Sequence, residues 1–170
     1  RLAPNPKRLP MSTRSNIIIK CGETTLHLYR HWDGYPAETG AHLLETFLDT
    51  SKSLGANAFV RALLADCEDE PGPNGNPRYR YEVTSGLHGD IEHAYSFTLQ
   101  EWGSGAGSLI EFRYGRRPIG GELTWQEMPL ESFAELVNSD RRAINLNIAR
   151  LRHIEEAAYP MISVPKEVTS

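Results

Sequence analysis

At 170 residues, 39% of them hydrophobic and 24% charged, the chain has the make-up of one globular domain long enough to bury a core without staples. A net charge of −4 speaks against nucleic acid as the partner, since dedicated binders carry a basic excess. No apolar run is long enough for a membrane span or a signal core, so no membrane partner is expected and the expected setting is cytoplasmic. Cys21 and Cys67, in no CxxC pair, read as two thiols in a reducing compartment.

Residues 1–10, "RLAPNPKRLP", hold three prolines and three basic residues ahead of Met11. They read as an extension or tag-like tail before a single α+β domain over 11–160, with 161–170 a loose C-terminal tail. In "SNIIIKCGETTLHLYRHW" two strands are expected, over 17–20 and 24–32, joined at Gly22. Alternation places Leu26, Leu28, Arg30 and Trp32 on one face and His27, Tyr29 and His31 on the other. Asp33-Gly34 supplies turn chemistry and Pro36 stops the strand from continuing.

A helix is expected over 37–53, with Leu43, Leu44, Phe47 and Leu48 on one stripe, and a second, carrying Phe59, Val60, Leu63 and Leu64, to about Ala65. The acidic, Pro- and Gly-rich stretch 66–77 reads as a mobile loop. Strands follow over 78–84, 90–102 and 108–115. Period-two alternation sets Ile91, His93, Tyr95, Phe97 and Leu99 on one face of the second, and Ile110, Phe112 and Tyr114 on one face of the third. The simplest arrangement is an antiparallel meander joined to the first hairpin. After "RRPIGGELTW" the chain turns helical. Leu130, Phe133, Leu136 and Val137 mark a helix, and Ile144, Ile148, Leu151 and Ile154 another that Pro160 ends. The expected class is α+β, an antiparallel sheet of about five strands with helices packed on it.

The densest chemistry lies in "LYRHWDGYP". Tyr29, Trp32 and Tyr35 offer flat apolar faces with polar tips, and Arg30 and His31 add a guanidinium and an imidazole. With Arg14 and Asp33 these form a candidate binding surface for a protein partner or a small anionic, nucleotide-like ligand. The bland alternative is a hairpin corner capping the next helix. A metal-dependent hydrolase or nuclease is the second reading: His31 and Asp33 with His88 and Asp90 of "LHGDIEH" would hold a divalent metal, and His93 would be the base. It requires the two stretches to meet in the sheet. Asp90 and His93, three apart on a strand, point to opposite faces, and no HExxH or CxxC signature supports it. The third reading is a structural subunit that forms homo-oligomers through its C-terminal helices. Arg113, Arg116 and Arg117 make the best basic cluster, suited to phosphate or an acidic partner, or simply a solvated turn.

"MSTRSNI" followed by "YRHWDGYP" and a leucine-rich helix, with "IEHAYSF" later, resembles a family of small, uncharacterised bacteriophage and bacterial proteins. The resemblance covers about the first 50 residues well and the middle loosely. It implies a phage-type accessory factor that binds a host or phage protein, or a small ligand, and it transfers no catalytic activity. By analogy, the first expectation is a non-enzymatic binding protein without a cofactor.

Overall fold

The computed structural model describes residues 13–50, 56–67, 70–71, 77–78, 80–100 and 109–140. The run Ile17-Ile18-Ile19 explains where the sheet is centred. Strand β1 (Ser15–Cys21) is buried at every position but Lys20, and a continuous apolar run suits a strand covered on both faces. It pairs antiparallel with β2 (Thr24–Arg30), Ile17 facing Leu28. On its other side it pairs in parallel with β6 (His93–Leu99), Ile17 beside Tyr95. β5 (Glu82–Thr84), β7 (Leu109–Arg116) and β8 (Thr124–Glu127) complete a six-stranded sheet in the order β5-β2-β1-β6-β7-β8. The chain is α+β, as expected, with six strands rather than five.

The remaining departures are tertiary in origin. The strand expected over 78–84 divides. Pro77–Arg78 (β4) pairs with Glu70–Pro71 (β3) in a separate two-strand ladder, while only Glu82–Thr84 joins the main sheet. Between them the amides of Arg80 and Tyr81 bond the Asp66 carbonyl, which pulls the chain out of line. β5 also lies at the edge beside β2, not next to β6, so the meander is confined to β6, β7 and β8. The segment 124–127, where no strand is expected from the sequence, is the edge strand β8. Ile91 precedes β6 and packs with Tyr29 and Ala94, on the opposite side from Tyr95 and Phe97. In β7 a register irregularity opposite Thr98/Leu99 turns Leu109 into the core and leaves Ile110 45% exposed; an inserted residue reverses the alternation beyond it.

The helices cover one face. A single π turn, Pro36–Gly40, runs directly into α1 (Ala41–Thr50). Pro36 stands at its first position, where a missing N–H costs nothing. Leu43, Leu44, Phe47 and Leu48 are buried, as their spacing predicts. α2 (Ala56–Ala65) buries Phe59, Val60 and Leu63, and α3 (Leu130–Asp140) buries Leu130, Phe133, Ala134 and Val137. The further helix expected around 144–154, both tails and most of the acidic loop lie outside the described residues. Between helices and sheet runs a chain of rings: Phe59 to Phe97 at 5.1 Å, Phe97 to Phe112 at 4.9 Å and Phe112 to Phe133 at 4.8 Å. These separations are typical of favourable offset and tilted ring pairs.

None of the described helices lies on the other face. Three rows cross it side by side: Tyr29, Asn16, Ala94, Gly115 and Trp125; then His27, Ile18, Ser96, Arg113 and Glu127; then Thr25, Lys20, Thr98 and Glu111. The first row is closed over by the loop 85–92. The Asn16 side chain donates to the Leu28 carbonyl at 3.0 Å and accepts from the His88 amide at 2.8 Å.

Candidate functional site

The corner after β2 is held by its backbone. The Gly34 amide donates to the Thr13 carbonyl and the buried Tyr95 hydroxyl donates to the Gly34 carbonyl, both at 2.8 Å. A β-carbon at Gly34 would stand 2.6 Å from the Arg14 carbonyl carbon, so only glycine fits so close to β1. Asp33 has φ 56, a left-handed conformation that Asp tolerates better than most residues. The Thr39 hydroxyl holds the Asp33 carbonyl at 2.8 Å and the Arg30 Nε holds the Trp32 carbonyl at 2.6 Å. Tyr35 starts the π turn, its carbonyl accepting from the amides of Glu38 and Thr39.

This framework sorts the expected site residues. Tyr29 is buried and central. Its ring stacks on His88 with centroids 4.0 Å apart and meets His31 edge-to-face at 4.6 Å. Its hydroxyl donates to the Asp90 carboxylate at 3.2 Å, and Arg14 pairs with the same carboxylate at 2.9 Å. Burial first, and then the Asp90 charge, push the Tyr29 pKa up, so the hydroxyl stays a donor. His31 Nε2 lies 2.9 Å from Glu82. Trp32 stands at the rim, 65% exposed, with its indole 5.5 Å from the His31 ring. Arg30 is on the opposite side of the strand, its guanidinium 5.9 Å from the Tyr81 ring centre. The two His-x-Asp stretches do meet, with the Tyr29 ring in contact with both His31 and His88.

A metal centre needs these groups to converge on one point. Instead Asp90 is engaged by Arg14 and Tyr29, His31 by Glu82, and the nearest described contact of Asp33 is its carbonyl to Thr39. Among the described residues no group of three or more His, Cys, Asp or Glu side chains is placed to hold a metal ion. His93 lies on the helix-covered side of the sheet, its Nδ1 2.7 Å from the Tyr114 hydroxyl.

A second polar cluster gives no motif in the sequence. His42 on α1 bonds Asp66 at 2.8 Å, and the Thr46 hydroxyl is 3.4 Å from the same imidazole nitrogen. The Tyr81 ring lies 5.9 Å away, fully buried, and its hydroxyl has no partner among the described residues. Burial holds the His42 pKa below its ordinary value, Arg80 adds to this, and the Asp66 hydrogen bond opposes it. Cys67 next door is no activated nucleophile, because burial and Asp66 push its thiol up. The pair ties α1 to the end of α2. A lone His 24 residues from its carboxylate partner offers no spacing signal to a reader of the sequence.

No protein-family model, curated protein or solved structure matches this chain.

Proposed function

We propose that the protein is a non-enzymatic binding protein and that its corner contacts a partner protein, with Trp32 as the anchor. The observation that supports this reading is a large aromatic side chain, 65% exposed, on a backbone fastened from four directions. Interface energy concentrates in Trp, Tyr and Arg, and an anchor already held in place loses little entropy on binding. The cations of the corner are occupied, Arg14 by Asp90 and Arg30 by the Trp32 carbonyl. That favours a protein surface with an indole-sized apolar pocket and a polar rim over a small anion at this position.

Affinity capture with the wild-type chain and with Trp32→Ala, run beside circular dichroism and thermal melts, tests the reading. The expected result is a native fold and a partner affinity weaker by about thirtyfold, the ~2 kcal/mol of a hot-spot side chain. Unchanged capture by Trp32→Ala overturns the reading. So does unfolding of that variant, because the indole would then be core and not surface.

A further inference from the structure

We propose a separate binding site on the helix-free face, for a small phosphomonoester that carries a planar apolar group, of about nucleoside-monophosphate size. A depression of about 400 Å³ lies there, within the range of pockets that take small ligands. Its floor is Ile18 and Ser96, adjacent across β1 and β6. On one side stand His27 and Leu87; on the other, Arg113 and Trp125; Lys20 is at one end. The depression follows from side-chain size. Ser96 is the smallest member of its row, and Gly115 leaves room for the Trp125 ring to lie down on the sheet. A β-carbon at Gly115 would stand 3.1 Å from that ring and 3.2 Å from Ala94.

The polar groups in this depression are matched to an anion. Neither Lys20 nor Arg113 has an ion pair among the described residues, and Arg113 is held only by the Trp125 ring, 5.5 Å from its guanidinium. Two carboxylates share this face without an ion pair to either cation among the described residues. Glu127 is opposite Arg113 in register without pairing to it, and Glu111 accepts from the Thr98 hydroxyl at 3.5 Å. Lys20 and Arg113 are two strands and one row apart, about 12 Å between α-carbons by ordinary sheet spacings. Both side chains are long enough to reach one phosphate between them, and a guanidinium fits phosphate oxygens with two parallel bonds.

His27 supplies the third element. Its Nδ1 is buried and has no hydrogen-bond partner among the described residues. That atom is closed to solvent, so His27 meets the depression through the rest of its side chain. Ile18 and Leu87, the latter 48% exposed, offer an apolar surface for the planar part. The corner differs on each count. Its cations are paired and its aromatic ring projects outward, so the two surfaces suit different partners.

The test is a titration of the full chain with adenosine 5′-monophosphate, followed by amide and indole NMR shifts, with adenosine and inorganic phosphate as comparison probes. Expected are saturable shifts at Lys20, His27, Ser96 and the Trp125 indole. Lys20→Gln and Arg113→Gln should each weaken binding roughly tenfold without moving the melting temperature, and Trp32→Ala should leave it unchanged. Absence of saturation at millimolar nucleotide overturns the proposal. Equal binding of adenosine removes its anionic half, and equal binding of inorganic phosphate removes its planar half. Full affinity in both charge variants, or shifts confined to the corner, overturns it as well.

Discussion

The two faces of the sheet are closed by different physics. On the helix-covered face, rings and leucines from α1, α2 and α3 interlock with Ile17, Ile19, Tyr95, Phe97 and Phe112. On the other, a small apolar cluster of Tyr29, Ile91 and Ala94, with Leu123 and Trp125 against it, is joined by polar staples. Asn16, fully buried, holds β2 and the 85–92 loop through its amide, and Tyr29 holds His88 and Asp90. Apolar packing is non-directional and seals a surface over its whole area. Hydrogen-bonded loops cover only where a donor meets an acceptor, so depressions and exposed charges persist between the staples. Both proposed surfaces lie on or beside the stapled face for that reason.

The comparison is broken most severely from the packed side. Phe97→Ala removes a ring at the centre of the aromatic chain and should cost about 3–5 kcal/mol, read as a lower urea midpoint. From the stapled side, Asn16→Ala leaves a buried carbonyl and an amide unmatched and should cost about 2–3 kcal/mol. Its signature is local: hydrogen exchange at the His88 amide should rise well before that of Phe97. Equal acceleration at both would show that the two faces unfold as one unit.

The smallest effect comes from pH. His42 is held below its ordinary pKa of 6.5 because its burial disfavours the imidazolium. The unfolded chain therefore takes up a proton near pH 6.5 and the folded chain only lower down. Its stabilising contribution is complete above that pH and is lost as the pH falls toward the folded value. Thermal melts across this window should show a slope that His42→Asn flattens; an unchanged slope would assign the acid sensitivity to other groups.

Much of the fold was legible in the residues because it rests on local periodicity. The alternation in 24–32 placed Leu26 and Leu28 on one face and His27 and Tyr29 on the other, as they stand in β2, and the stripe at Leu43, Leu44, Phe47 and Leu48 faces the core. The corner was also legible as a concentration of aromatic and charged types, and alternation sent Arg30 to one side of the strand and Tyr29 to the other; the pairing of Tyr29 with His88 and Asp90, 59 and 61 residues on, was not. Where alternation failed, a non-local partner had intervened. The Asp66 carbonyl captured the amides of Arg80 and Tyr81, and a bulge turned Ile110 outward.

By itself the sequence determined the α+β class, the position of the first hairpin, the apolar stripes and the braced turn at Asp33-Gly34, because each follows from side-chain spacing or backbone preference within a few residues. Tertiary structure alone decided the parallel union of β1 with β6, the placement of β5 and β8 at the edges, and the meeting of Lys20, His27, Ser96, Arg113 and Trp125 on one face. Strand order and register are set by which apolar faces can be buried together across the whole chain, and a period of two is the same for every strand that carries it.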